Sequence, residues 1–499
     1  SMRMHSSTND VVKALLDGSQ TCLFNFIDGQ FSGTDEQLES VNPATGAAFL
    51  RLPRSSLSHV NAAVAAAKQA FPVWSSSSVQ SRARLLQRTA DIIESLLDEL
   101  AVLESRDQGK PVWLARVVDI PRCVQNLRFF ASAALHHTEP SAVLAEPSRA
   151  LSYVVRDPVG VAAAISPWNL PVYLLSFKLA PALAAGCTVV CKPSELTSAT
   201  AYVLMHAFRE AGLPAGVVNM VIGTGGECGE PLVTHPDVAL VSFTGSTLIG
   251  RRIAGLCAPS NKKTSLEMGG KNAGIICKSV DIPEIVPDVV RSCFINQGEI
   301  CLCTSRLFVH SDIFDDFVRD FVEEAKKYTV GDPEVASSKL GAINSKAHFA
   351  KVMSYIALAV EEGGTILFGG KAVSPPGRCS GGWFIEPTAV TGLRDDCRCM
   401  TEEIFGPVVC IQKFTGTQEV IERANASPYG LSATVFSRES AELHSIAHAL
   451  RVGTVWCNTW MVRDLNMPFG GTKQSGLGRE GGADSLHFFT EQKTVCIKY

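Results

Sequence analysis

The chain lacks most features that would assign it to a membrane, a nucleic acid or an export route. Its 499 residues carry a formal net charge of −4 with no block of consecutive Lys and Arg. Neither nucleic acid nor an anionic lipid surface is therefore an expected partner. No uninterrupted apolar run reaches about 18 residues, the length a spanning helix needs. The N-terminus has no basic segment leading into an apolar stretch, so no secretory leader is read there. Ser1 and Met2, ahead of a second methionine at Met4, read as a remnant of expression. The expectation is a soluble, cytoplasmic protein.

Metal and disulfide frameworks are missing too, although the chain has 16 cysteines. They are scattered, and several (Cys187, Cys191, Cys277, Cys410) fall in apolar runs, where a thiol behaves as a small hydrophobe. The close pairs Cys301/Cys303 and Cys397/Cys399 are C-x-C, without the histidines or second C-x-x-C of a zinc site. His136 and His137 have no ligand partner at helical spacing. No metal is expected.

What is present is material for large cores, with 46% hydrophobic residues. Helical patterns run over 58–74 and 80–108, followed by an apolar strand at 160–165 and an Ala-rich helix ending at Gly186. Strands at 188–191, 217–222 and 240–243 alternate with helices, the first of them at 199–211. Short, nearly all-apolar strands separated by helices predict an α/β fold with a parallel sheet covered on both faces. The alternation restarts with a strand at 273–277 and a helix at 313–327, which puts a hinge near 267–271. Two strand-like segments, 149–157 and 493–499, have no following helix. They are either solvated edges or a small separate sheet joining subunits, and the second reading is preferred.

The chemistry concentrates in NQGEICLCTSR, residues 296–306, where Cys301 is expected at the end of a helix over 287–297, behind a turn-forming glycine. Upstream, LEMGGKN places Glu267 before a Gly-Gly pair. A thiol nucleophile and a carboxylate base are the parts needed to form and then hydrolyse a thioester. A glutamate at its usual pKa of about 4.3 is ionised at pH 7, so Glu267 is expected to act without a large shift. Two Gly-rich turns offer phosphate sites. The first, 223–226, matches G-x-G-x-x-G poorly, whereas FTGSTLIG, 243–250, leaves a strand and opens a helix, whose N–H groups attract an anion. In CKPSELT, Glu195 follows a strand where a carboxylate can bind ribose hydroxyls and repel a 2′-phosphate, favouring NAD over NADP.

Together, ISPWNLP (165–171), KPSELT (192–197), FTGS (243–246), LEMGGKN (266–272), GEICLC (298–303), EEIFGPV (402–408) and PFGGTKQSGLGRE (468–480) resemble the NAD(P)-dependent aldehyde dehydrogenase superfamily. They occur in the family's order and span the chain from about residue 20 to its end. One departure is Glu299, where glutamine is commoner in the family. The resemblance implies an aldehyde dehydrogenase-like fold: an N-terminal tail (1–20), a Rossmann-type NAD-binding domain (21–140 and 161–267) and an α/β catalytic domain (268–484). Oligomerisation strands (141–160 and 485–499) would build a homodimer or homotetramer.

It also implies roles. Cys301 is the expected nucleophile and Cys303 a packed spectator. Asn169 and the Cys301 N–H would stabilise the oxyanion, and Glu267 would activate water and help deprotonate Cys301. Lys192 and Glu195 would hold the adenosine ribose, Ser246 the pyrophosphate, and Glu403 the nicotinamide ribose with Phe405 beside the ring. Ile165, Ser166, Trp168, Gly225, Phe243 and Gly269 complete the expected NAD contacts. Arg463, in WMVRDLNMPFGG, and Arg122, in DIPRCVQNLRFF, fall on facing walls of the substrate tunnel. Two guanidiniums there suggest a substrate carboxylate. With GEICLC, they make the chain most similar to the branch acting on 2-aminomuconate 6-semialdehyde. Relatives acting on 2-hydroxymuconate semialdehyde, retinal or betaine aldehyde remain alternatives. A silent, crystallin-like relative is disfavoured because Cys301, Glu267 and Asn169 are all intact.

Overall fold

The computed structural model describes residues 7–499; Ser1, Met2 and Met4 lie outside them. Two largely parallel sheets organise the chain, as the run of short apolar strands requires. In the first, five parallel strands lie in the order Val218–Met220, Thr188–Lys192, Val161–Ile165, Val238–Thr244, Lys263–Glu267. Chain order reverses between Val161–Ile165 and Val238–Thr244. Beyond the C-terminal ends of such a pair lies the crevice in which doubly wound sheets bind ligands. The antiparallel strand Gly476–Leu477 closes the far edge against Leu266 and Glu267.

Over residues 268–271 the chain passes from the first sheet to the second, whose first strand is Asn272–Ile276. There the parallel order is Thr388–Thr391, Val408–Phe414, Thr304–His310, Asn272–Ile276, Ser432–Phe436, Thr454–Cys457. The two unaccompanied strands of the sequence pair with each other: Ala150–Pro158 runs antiparallel to Thr490–Lys498 along its whole length, and also to Ser141–Leu144.

The largest apolar core fills the space between the first sheet and helices Val79–Ser95, Ile120–His136 and Pro171–Ala185, with Leu86, Leu127, Phe130 and Leu179 fully buried. Each such side chain contributes about 1.5–3 kcal/mol by burial, and truncating Phe130 to alanine would cost about 3–5 kcal/mol.

Three local expectations need correcting. The segment set aside as a tail over 1–20 contains a docked helix, Thr8–Asp17, closed by a Ser7/Asp10 capping box and by Gly18. Its Val11, Val12 and Leu15 are buried, and Thr8 N–H donates to Glu210 at 2.7 Å. The helix expected over 80–108 breaks at Leu96 into Val79–Ser95 and Leu97–Gln108. The helix expected over 287–297 instead spans Ile282–Phe294, starting a turn earlier with a proline in its first turn and ending before the nucleophile loop.

Candidate active site

That early ending shapes the site. Asn296, Gln297 and Gly298 have φ of 54°, 56° and 70°, three successive residues in the left-handed region that side chains rarely adopt. Hydrogen bonds hold them there. Asn296 Nδ2 donates to Asn169 O (3.3 Å) and Glu299 O (3.2 Å), while Gln297 Oε1 accepts from the Gly341 N–H at 2.9 Å. At Gly298 a Cβ would collide with Gly406 O, so no other residue fits. Cys301 then sits on an irregular turn, not at a helix end. Asn272 Nδ2 fixes that turn by donating to Cys301 O (2.7 Å) and Cys303 O (2.8 Å).

The two thiols differ in access. Cys301 lines a cavity of about 220 Å³ and is half-buried, whereas Cys303 is buried in an apolar cluster with Ile300, Leu302 and Trp460. Burial pushes the Cys301 thiol well above its usual range. Glu403 and Glu267 add to the effect, and Arg463 opposes it. The resting thiol is therefore protonated and needs a base.

Asn169 enters the same cavity from the loop after Val161–Ile165, with Lys110 Nζ donating to its carbonyl at 3.0 Å. Lys110 is fully buried and paired with Asp119 at 2.6 Å. One amide N–H of Asn169 is used on Glu299 O (2.9 Å), which leaves the other for an oxyanion. The Cys301 N–H finds no protein acceptor among the described residues.

Glu267, at the end of its strand, is buried, and neither carboxylate oxygen has a hydrogen-bond partner. Burial raises its pKa well above the usual carboxylate range, Glu480 adds to the rise, and Lys178, Arg479 and Arg463 oppose it. The expectation of a Glu267 without a large shift is thus corrected: its pKa is raised, with desolvation as the main cause. Beside it, Lys178 Nζ donates to Glu480 Oε1 (2.8 Å) and Ser242 Oγ (3.1 Å). Sequence reading missed this buried pair. Its one signal was a single lysine in the otherwise apolar helix Pro171–Ala185.

The expected cofactor residues gather at the crevice between the reversed strands. Trp168, Ser246, Gly269, Glu403 and Phe405 line the Cys301 cavity. Ser246 caps the helix Thr247–Cys257, accepting from Ile249 N–H at 3.4 Å, so its hydroxyl proton stays free for an anion at the helix N-terminus. Glu403 Oε1 accepts from Gly270 N–H (2.9 Å), and a side chain at Gly269 would collide with the same carboxylate. Phe405 meets Trp168 edge to face, centroids 5.4 Å apart. Ile165 and Ser166 are at the adjoining strand end, where Ser166 N–H donates to Lys192 O. Lys192 and Glu195 pair at 3.2 Å beside the short turn of helix that begins at Gly225. Phe243, by contrast, packs into the apolar core with Met268, supporting the turn from below. Sequence reading missed His348 and Lys351, which also line the cavity; His348 Nε2 donates to Phe405 O at 2.6 Å. Thr244 also lines the cavity, and its Oγ1 is buried without a hydrogen-bond partner. The Ser246 hydroxyl, the half-buried carboxylates of Glu195 and Glu403 and a helix N-terminus on one crevice fit a dinucleotide.

A second cavity, about 600 Å³, is lined by both Arg122 and Arg463. Arg463 lies 3.9 Å from the Phe469 ring centroid and donates to Tyr173 Oη at 3.2 Å, and Arg122 lies 5.5 Å from the centre of the Tyr173 ring. Tyr173 and Phe469 belong to the apolar cluster against which Cys301 packs. Among the described residues no carboxylate pairs with either guanidinium. His137, which has no ligand partner at helical spacing, meets Glu139 and His487 with ligand atoms within 4.8 Å, but Arg156 donates to the same carboxylate.

The aldehyde dehydrogenase family model matches residues 31–495. The chain belongs to that family. Among its relatives, the 2-aminomuconic semialdehyde dehydrogenase of Homo sapiens is 52% identical over 479 residues, covering 96% of this chain and 98% of that one. The 2-hydroxymuconic semialdehyde dehydrogenase of Pseudomonas sp. (strain CF600) is 42% identical over 480 residues, covering 95% and 99%. A solved aldehyde dehydrogenase from Bacillus cereus, in complex with NAD+, superposes with a TM-score of 0.93 at 37% identity, covering 98% of both chains. Family membership accounts for the close superposition and for the order of the motifs.

Proposed function

We propose that this enzyme oxidises 2-aminomuconate 6-semialdehyde to 2-aminomuconate with NAD+ and water, yielding NADH. The observation that carries the substrate is the pair of guanidiniums, Arg122 and Arg463, held on aromatic rings and ion-paired with neither of the carboxylates that share their cavity, Glu94 (which pairs with Arg128) and Asp464. A semialdehyde with a carboxylate at its far end supplies the missing anion, and bidentate pairing would orient the aldehyde. Neutral aldehydes offer these groups nothing. The names of the relatives above agree with this substrate class.

In the proposed mechanism Cys301, once deprotonated, attacks the aldehyde carbon, and the new oxyanion takes the free Asn169 amide N–H and the Cys301 N–H. Lys192, Glu195, Ser246 and Glu403 would hold NAD, with Ile165, Ser166, Trp168, Gly225, Gly269 and Phe405 shaping its seat. Bound NAD supplies the hydride acceptor that lets the adduct on Cys301 become a thioester. Glu267, in its carboxylate form, takes the thiol proton of Cys301, passes it to solvent, and then takes one from the water that attacks that thioester and releases the acid. Burial first, then Glu480 against Lys178, tunes the proton affinity of Glu267. Domain roles follow the sequence reading: 21–140 and 161–267 bind the cofactor, 268–484 carries the nucleophile. The open three-stranded sheet from 141–160 and 485–499 joins subunits into a homo-oligomer, a dimer or tetramer. The setting proposed is tryptophan breakdown in the cytoplasm. Initial rates with the muconate semialdehyde and NAD test the reading, and no turnover would overturn it.

A further inference from the structure

Glu299 is the residue at which the chain departs from the commoner glutamine, and its surroundings give a reason. It is fully buried. Its Oε2 accepts from Gln108 Nε2 at 2.9 Å and its Oε1 from the Asn344 N–H at 3.0 Å. Both donors are fixed. Asn344 offers a main-chain N–H, and Gln108 turns its own oxygen to the Lys110 N–H at 2.9 Å, so its amide nitrogen must face Glu299. A carboxyl group keeps an acceptor on each oxygen. Glutamine has one acceptor and one donor end, so either orientation would set N–H against N–H in a buried place.

The other end of the residue reaches the chemistry. Glu299 O accepts from Asn169 Nδ2 at 2.9 Å and from Asn296 Nδ2 at 3.2 Å. One residue thus ties 108, 344 and Asn169 to the turn that carries Cys301 two positions on. We propose that Glu299 is a positioning residue: its carboxyl anchors the nucleophile turn, and its carbonyl sets the side chain of Asn169 so that the remaining amide N–H aims at the oxyanion. This rests on the aldehyde dehydrogenase reading above. Burial pushes the Glu299 pKa up to about 8. The ionised form accepts at both oxygens, whereas protonation adds an O–H donor facing the same N–H groups.

The test is a donor–acceptor swap, measuring kcat and KM for the aldehyde and NAD affinity by quenching of intrinsic fluorescence. Glu299→Gln should lower kcat about 10- to 100-fold, as a misplaced catalytic group does, with NAD affinity within about twofold of wild type. Adding Gln108→Glu puts the acceptor on the other partner and should restore about tenfold or more of the lost kcat. A kcat near wild type for Glu299→Gln, or a loss that the swap does not recover, would overturn the inference. If Glu299→Gln does not fold, Gln108→Leu removes the same hydrogen bond from the other side. It must lower kcat at unchanged NAD affinity, and a wild-type kcat there overturns the inference equally. Wild-type protein inactive on every aldehyde would instead overturn the underlying reading.

Discussion

Removing Arg463 or Arg122 separates charge recognition from general aldehyde chemistry. Arg463 spends one hydrogen bond on Tyr173 and stacks on Phe469, while Arg122 has only the Tyr173 ring, so most of their donors remain for a ligand. A charge-assisted hydrogen bond contributes about 1.5–3 kcal/mol, so either alanine variant should lose about 10- to 150-fold in kcat/KM for a muconate-type semialdehyde. Arg463→Ala also forfeits the stacking, about 0.5–2 kcal/mol, and should lower Tm more than Arg122→Ala does. Lysine should rescue partly, since a point charge cannot reproduce the planar fork. The assay is NADH formation with the charged substrate and with hexanal in parallel. Arg122→Ala should turn hexanal over as well as wild type does, whereas Arg463→Ala also removes the charge that opposes the pKa rise of Cys301 and Glu267 and should lose some hexanal turnover, though less than it loses on the charged substrate. A uniform fall on both aldehydes would refute the carboxylate argument and make the arginines structural.

Cys301→Ser should abolish oxidation while NAD binding persists, and Cys303→Ser should keep most activity; the assay is paired turnover and fluorescence titration. Glu267→Ala should slow hydrolysis of the thioester more than its formation, so mass spectrometry should find the acyl adduct on Cys301. The raised pKa of Glu267 also has a sign for stability. The unfolded chain releases this proton near pH 4.3 and the folded chain only at higher pH, so this group lowers stability as pH rises between the two values. Glu267→Gln should therefore raise Tm at neutral pH and not below about pH 4. Thermal melts at both pH values check this, and an equal Tm change at both would contradict it. Glu195→Gln should narrow the preference for NAD over NADP, read from the ratio of the two kcat/KM values.

Local signals were legible in the sequence wherever the cause was local. Short apolar strands between helices announce the parallel sheets, and the FTGS turn after Val238–Thr244 carries its helix N-terminus in its own residues. The Ser7/Asp10 capping box was also written in the chain but was passed over as part of a tail. What escaped reading depends on distant partners. Asn296 and Gln297 look like the end of a helix until Asn169 and Gly341 are placed beside them. The left-handed turn is held by those contacts, not by propensity. Lys178 and Glu480 lie 302 positions apart, so no spacing rule links them. Glu267 is an ordinary carboxylate until burial strips its water. Arg122 and Arg463 were singled out only through family resemblance, since a lone arginine on a helix is normally solvated.

The central claim is a carboxylate-directed aldehyde oxidation at Cys301. Its most direct test is a set of initial rates, with NAD, on 2-aminomuconate 6-semialdehyde, 2-hydroxymuconate 6-semialdehyde, retinal, betaine aldehyde and hexanal. For the two muconate semialdehydes kcat/KM should exceed that for the uncharged and cationic aldehydes by about 10- to 150-fold or more, with the amino compound preferred. Equal rates across the set, or a preference for retinal or betaine aldehyde, would contradict it.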